Sequence, residues 1–143
     1  MSEPVKIYFL CIFNRARSQM AEAFAKQYGG DRVVVESAGV DGARDVHPMT
    51  IEVMQEVGID ISQHESKTIN MKKFVGSDIV VKLCEEANER CPIVPFGIRH
   101  EQWSIEDPIP KDGSDSDLET FRRVRDDIEL RVKTLLQSVE VIR

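Results

Sequence analysis

The residues best suited to chemistry lie in one run near the N-terminus, Cys11-Ile12-Phe13-Asn14-Arg15-Ala16-Arg17-Ser18. The thiolate of Cys11 would be a nucleophile. Six residues later, Arg17 carries a planar guanidinium whose paired N–H groups suit two oxygens of a tetrahedral oxyanion. Ser18 can donate a hydrogen bond to the sulfur. The run therefore predicts an oxyanion-binding loop, residues 12–18, that begins at a cysteine nucleophile.

The C-x5-R spacing is weak by itself, because it occurs again from Cys84 to Arg90. The second copy contains three glutamates, which would repel an anion, and Pro92 would interrupt a following helix. The first copy instead lies between an apolar segment and an amphipathic one. If these are a strand and a helix, the helix N-terminus attracts anions at the carboxyl edge of the sheet. The alternative for Cys11 is a buried structural thiol.

Short apolar segments alternate with segments of helical spacing. Runs rich in β-branched and aromatic residues predict strands over 5–10, 33–35 and 78–83, and a weaker one over 98–103. Apolar residues three or four apart predict helices over 18–28, 48–57 and about 116–140. Ser116 and Glu119 form a candidate capping box for the last helix. The alternation predicts an α/β fold, a single three-layer domain over 1–143 with a four-stranded parallel sheet and helices on both faces.

Length, composition and charge restrict the class of protein. The 143 residues are 41% hydrophobic and 31% charged, which is typical of one soluble globular domain. The formal net charge of −6 argues against nucleic-acid or anionic-membrane partners. The sequence has no signal-peptide pattern and no apolar run of about 20 residues, so we expect a cytoplasmic protein. Three cysteines are too few for a disulfide framework and lie at no zinc spacing, so no metal is expected.

A candidate acid, Asp107, precedes Pro108. Asp-Pro is a common turn pair, and by itself it is more often a turn than a catalytic group. Here it follows the last predicted strand, so it would lie at the same sheet edge as Cys11. An acid in that position could protonate an oxygen that leaves the tetrahedral centre. We therefore predict that Asp107 is a general acid.

The other two thiols, Cys84 and Cys91, are separated by an acid-rich segment without an apolar stripe. If that segment is helical, it holds them too far apart for a disulfide, and a bond would require local unwinding. Polar segments of this kind open at low cost. The residues alone leave two interpretations open: a redox pair or two unrelated structural thiols.

Together these motifs resemble the thioredoxin-coupled arsenate reductases, which share the fold of the low-molecular-weight tyrosine phosphatases. The resemblance extends over nearly the whole chain and rests on residues 11–22, 36–39, 58–62, 83–92 and 106–108. It implies that Cys11 attacks arsenate held by the loop and Arg17, while Asp107 protonates the departing oxygen. It further implies that Cys84 attacks the Cys11 adduct and releases arsenite. Cys91 then attacks Cys84, and thioredoxin reduces the resulting disulfide, without a metal or bound cofactor.

The sequence departs from the family pattern at three positions near the loop. Ala16 stands where some relatives carry another cysteine, which is not part of the relay, so little loss is expected. Phe13 stands where many relatives have glycine, so it is a candidate wall of the pocket. Some relatives bind potassium with residues that match Asn14, Glu22 and Ser37, together with an acid. Lys67 occupies the position of that acid here. We expect its ammonium to replace the ion and to pair with Glu22.

Two other functions compete with arsenate reduction. A phosphatase would use Cys11, Arg17 and Asp107 alone. Such enzymes usually place aromatic residues after the Asp-Pro pair, whereas Ile109 and Pro110 stand here, which favours a small inorganic oxyanion. A non-enzymatic oxyanion-binding or redox-sensing module would not need the acid. The reductant is expected to be thioredoxin, with a glutaredoxin–glutathione system as the alternative, and the protein is expected to be a monomer.

Overall fold

A parallel sheet lies at the centre of the structure, a computed structural model whose described residues are 3–83, 91–110 and 114–142. In these residues the sheet has four strands in the order β2-β1-β3-β4. The strands are β1 (Val5–Cys11), β2 (Val33–Gly39), β3 (Ile79–Lys82) and β4 (Arg99–Gln102). Every neighbouring pair is parallel, and the register places Cys11 opposite Gly39. The predicted four-stranded parallel sheet is therefore confirmed.

The helices connect these strands on both sides of the sheet. They are α1 (Arg17–Gly29), α2 (Pro48–Glu56), α3 (Met71–Val75) and α4 (Leu118–Ser138), and a 3-10 turn (Gly30–Arg32) follows α1. The sequence predicted α1, α2 and α4. It missed α3, whose five residues are too few for a helical period to show. None of the helices in the described part of the chain is long and apolar enough to cross a membrane.

The capping box predicted for α4 is wrong in one residue. The N-cap is Asp117, whose carboxylate accepts a hydrogen bond from the backbone N–H of Glu119 at 3.1 Å. Ser116 instead places its hydroxyl 3.3 Å from Nε2 of His47. Asp and Ser are equally good caps, so composition could not choose between neighbouring positions.

Alternate residues of β1 pack against opposite layers, which explains why the strand is apolar from Ile7 onward. Ile7 and Phe9 lie in the larger core with Met20, Phe24, Phe121 and Ile128 from α1 and α4. Tyr8 and Leu10 face the smaller core, which contains Ala38, Phe74 and Val80. Each fully buried phenylalanine contributes roughly 1.5–3 kcal/mol relative to an exposed one. The two cores fix β1 from both sides and thereby fix the position of Cys11 at its end.

Candidate active site

The loop from Cys11 to the start of α1 is held from behind by residues 40–47. Four backbone N–H groups of this segment donate to loop carbonyls: Val40 to Cys11 (2.8 Å), Asp41 to Ile12 (3.0 Å), Arg44 to Phe13 (3.2 Å) and His47 to Arg15 (3.1 Å). No cis peptide bond occurs in the described residues. In a trans peptide the N–H and C=O groups point in opposite directions, so the N–H groups that follow these carbonyls point away from the supporting segment. Such a row of donors suits a tetrahedral oxyanion.

The close approach of this segment depends on Gly39, at the end of β2. A Cβ atom there would lie 2.1 Å from the carbonyl oxygen of Gly42 and 2.7 Å from that of Ile12. Both neighbours are backbone atoms, which cannot rotate away. Glycine is therefore required for the supporting segment to contact the loop.

Asn14 organises the interior of the loop. It is fully buried and adopts a left-handed backbone conformation, φ 57°, which asparagine tolerates better than most residues. Its Nδ2 donates to the hydroxyls of Ser18 at 2.7 Å and Ser37 at 2.9 Å. Its Oδ1 accepts from Nε2 of Gln19 and from the backbone N–H of Lys67, both at 2.9 Å. The side-chain amide thus ties the loop to α1, to β2 and to the segment before α3.

Ser18 connects this amide to Cys11, the predicted nucleophile. Its Oγ lies 2.8 Å from Sγ of Cys11. Oγ accepts a hydrogen bond from Asn14 and keeps its hydroxyl hydrogen, which can be donated to the sulfur. The predicted role of Ser18 has its geometric basis here.

Through Ser37, the Asn14 amide is also linked to the buried carboxylate of Glu22. Ser37 donates its hydroxyl hydrogen to Glu22 Oε1. Lys26 Nζ lies 2.5 Å from Oε2, and Lys67 Nζ lies 3.7 Å from Oε1. Burial would raise the pKa of Glu22, but the hydrogen bonds from Lys26 and Ser37 and the charge of Lys67 outweigh it and lower the pKa below its ordinary value. The pair expected between Lys67 and Glu22 is therefore present.

Arg17 and the predicted acid lie together. The Arg17 side chain is buried, with NH1 donating to the carbonyl of Ile105 at 3.0 Å and NH2 lying 3.4 Å from Oδ2 of Asp107. The other carboxylate oxygen, Oδ1, accepts from the backbone N–H of Ile109 at 3.0 Å. Asp107 is thus both a turn residue and a neighbour of the site. One oxygen forms the turn and the other faces the guanidinium.

The guanidinium of Arg44 lies over the ring of Phe13, a residue of the loop. The guanidinium carbon of Arg44 lies 4.0 Å from the centroid of the Phe13 ring, within cation–π range. The same arginine donates its backbone N–H to the Phe13 carbonyl. Arg44 was not predicted from the sequence, because nothing in its local spacing indicates contact with a loop 30 residues away. Together with Arg15 and Arg17 it supplies local positive charge on a chain of net charge −6.

Cys91 lies near the same edge of the sheet, on the side of the smaller core. Cys11 and Cys91 are both free thiols, and Val40 packs in the apolar cluster of each. Burial raises the pKa of Cys91, while the charge of Lys82 and its hydrogen bond to the thiol act to lower it. Lys82 is itself buried, which a lysine in a strand does not reveal from sequence. The third predicted thiol, Cys84, lies outside the described residues.

With this geometry established, comparison with known proteins identifies the family. Residues 6–142 match the family described as low molecular weight phosphotyrosine protein phosphatase. The chain belongs to this family. Within the family, the chain is 45% identical over 133 residues to arsenate reductase 1 of Staphylococcus epidermidis, an alignment that covers 93% of this chain and 96% of that protein.

Two solved structures of family relatives extend the comparison. One, described as an arsenate reductase in oxidized state, has a TM-score of 0.78 at 37% identity and is matched over 94% of this chain and 98% of its own. The other is a thioredoxin-dependent arsenate reductase of Corynebacterium glutamicum, with a TM-score of 0.77 at 28% identity. That match covers 99% of this chain but 65% of the longer protein. The family resemblance and the fold expected from the sequence are both confirmed.

Proposed function

We propose that this protein is an enzyme that reduces arsenate to arsenite and is regenerated by thioredoxin. Support comes from its relatives, since proteins 42–45% identical to it are named arsenate reductase. The observation that carries the proposal is the hydrogen-bonded chain Asn14–Ser18–Cys11 at the start of a loop whose other end holds the Arg17–Asp107 pair. This places a thiol, an anion-binding fork and a carboxylic acid around one loop.

In the first step, the Cys11 thiolate forms a bond to arsenic. One oxygen of arsenate leaves as water after it takes a proton from Asp107. The backbone N–H groups of the loop and the Arg17 guanidinium hold the remaining oxygens.

The reduction itself uses two thiols. Cys84 attacks the sulfur of Cys11, forming a disulfide, and the electron pair of the broken sulfur–arsenic bond stays on arsenic, which leaves as arsenite. Cys91 then attacks Cys84 and releases the Cys11 thiolate. A dithiol reductant, thioredoxin, finally reduces the Cys84–Cys91 disulfide by two exchange steps. The pairings that involve Cys84 rest on the family resemblance, and the half-buried thiol of Cys91 near the loop supports them.

Hydrolysis of phosphate monoesters is the second candidate, and membership of a phosphatase family favours it. It would use Cys11, Arg17 and Asp107 and would leave Cys84 and Cys91 idle. A pure oxyanion-binding or redox-sensing module remains a third. We further propose that the chain acts as one domain and as a monomer in the cytoplasm, where thiols are kept reduced.

The deciding experiment maps the thiols after one turnover. Reduced protein is mixed with one equivalent of arsenate, alkylated, digested and analysed by mass spectrometry, with an arsenate-free sample as control. A Cys84–Cys91 disulfide with Cys11 alkylated establishes the relay. Three alkylated thiols in a protein that still hydrolyses a phosphate ester would contradict the proposal and identify a phosphatase.

Asp107→Ala separates an enzyme from a binding module. In an enzyme this variant retains arsenate binding and loses about 10²–10⁴-fold in turnover, the usual contribution of a general acid. Parallel assays with thioredoxin and with glutaredoxin plus glutathione identify the reductant. Arsenite formation supported by glutaredoxin and glutathione alone would contradict the thioredoxin assignment.

A further inference from the structure

The segment that follows Cys91 has an inward and an outward face. Cys91, Val94 and Ile98 are half-buried and pack against the smaller core. Between them, Ile93 is 93% exposed and Phe96 is fully exposed. Apolar side chains therefore occupy both faces, and the outward pair has no counterpart in the described part of the fold.

The exposure of Phe96 is fixed by the backbone. Pro95 to Ile98 form a turn in which the N–H of Ile98 donates to the carbonyl of Pro95 at 3.2 Å. Gly97 has φ +97°, the left-handed conformation that the third position of a type II turn requires. Val94 and Ile98 anchor the turn to the core on either side. The ring thus lies outward at the tip of a hydrogen-bonded turn.

This pair differs from the other exposed apolar residues of the described chain. Val34, Val57, Met71, Val75 and Leu130 are 40–65% exposed, so each still rests partly on its own surface. Ile93 and Phe96 lie two and five residues from Cys91. Any protein that reduces a disulfide at Cys91 has to bring a sulfur within bonding distance, so its surface meets the residues beside that thiol.

We propose that Ile93 and Phe96 form the docking surface for a protein dithiol reductant of the thioredoxin type, one whose reactive thiols are surrounded by apolar surface. The inference rests on the proposed function, because only a disulfide that ends at Cys91 needs such a partner. Phe96 is the expected hot spot, since a rigid aromatic anchor buries a large area with little loss of conformational freedom. A small hydrophilic thiol such as glutathione gains nothing from two apolar side chains.

The test compares two reductants on the same full-length variants. Arsenate reduction is followed with a bacterial thioredoxin and its reductase, and separately with dithiothreitol as a small dithiol. The variants are Phe96→Ala and Ile93→Ala, and Leu130→Ala on α4 is the matched control, 65% exposed and on a different element. We expect Phe96→Ala to raise KM for thioredoxin about tenfold or more and Ile93→Ala to raise it less. Rates with dithiothreitol, and all rates of Leu130→Ala, should stay at the level of the unmodified protein.

Each outcome has one meaning. An unchanged KM for thioredoxin in both variants overturns the docking surface, and so does equal loss with thioredoxin and dithiothreitol. Sedimentation that shows a dimer of the unmodified protein but a monomer of Phe96→Ala identifies a self-association surface and also overturns it. If the unmodified protein forms no arsenite even with dithiothreitol, the proposed function fails, and this is distinguishable because the result involves no variant.

Discussion

Replacing Ser18 by alanine tests whether one hydroxyl activates the nucleophile. The substitution removes the 2.8 Å contact with Cys11 Sγ. A hydrogen bond to a charged group contributes about 1.5–3 kcal/mol. At 1.36 kcal/mol for each factor of ten, the attack of Cys11 on arsenate should slow about 10- to 150-fold. The observable is the single-turnover rate of arsenite formation, together with the rate at which iodoacetamide alkylates Cys11 at neutral pH.

Ser37→Ala is the matched control. Ser18 and Ser37 are both fully buried, and both accept from the Asn14 amide, at 2.7 and 2.9 Å. Either substitution leaves an amide hydrogen without its acceptor, which costs about 1–3 kcal/mol of unfolding free energy. Urea unfolding should therefore show similar losses of stability, while the single-turnover rate falls sharply only in Ser18→Ala. Equal rates in the two variants would refute the reasoning.

Three further predictions concern groups around the loop. With Lys67 Nζ 3.7 Å from the carboxylate of Glu22, arsenate reduction should proceed at equal rates in sodium and potassium buffers of matched ionic strength. Gly39→Ala should lower the unfolding free energy by at least about 1–3 kcal/mol, measured in urea, because its Cβ would overlap backbone atoms. Burial raises the pKa of Cys91, so its thiolate is scarcer at neutral pH and its attack should accelerate as pH rises above 7. Lys82→Met should move this profile to higher pH, because the charge that lowers the Cys91 pKa is lost.

Each of these has an outcome that contradicts it. Strong activation by potassium would mean that the Lys67 ammonium does not replace the ion. Unchanged stability of Gly39→Ala would mean that residues 40–47 are not held against the loop. For Lys82→Met, rapid-quench mass spectrometry of the Cys91 disulfide at several pH values is the measurement, and an unshifted profile would exclude an electrostatic role of Lys82.

Local patterns in the sequence predicted most of the fold because its elements have strong periodicity. The strands β1 and β3 are short apolar runs, and α4 keeps its three- and four-residue steps along its length. Helix α3 was not predicted because its five residues contain little more than one turn. The N-cap of α4 was placed one residue early, at Ser116 instead of Asp117, because neighbouring polar residues are equally good caps.

The sequence predicted the candidate reacting groups of the site. It did not predict the residues that contact them from other segments. Cys11, Arg17 and Ser18 lie within one short run, so their proximity follows from chain order. The contact of Arg44 with Phe13 joins residues 31 positions apart, and that of Lys82 with Cys91 joins a strand to the segment that follows it. Such contacts depend on how loops pack above the sheet, and the residue types involved look like ordinary surface charges in the sequence.

The supporting segment 40–47 turns the loop carbonyls outward and leaves peptide N–H groups to meet the oxyanion. Backbone N–H donors distinguish anions by shape and charge. Arsenate and phosphate are both tetrahedral anions of similar charge at neutral pH. Phosphate should therefore occupy the same loop and compete for it. Discrimination between the two must come after binding, because thiols can take arsenic(V) to arsenic(III) and cannot reduce phosphorus(V). Specificity for arsenate would then arise from the redox chemistry of the bound atom. Phosphate, as a competitor for the loop, would lower the rate at which arsenate binds.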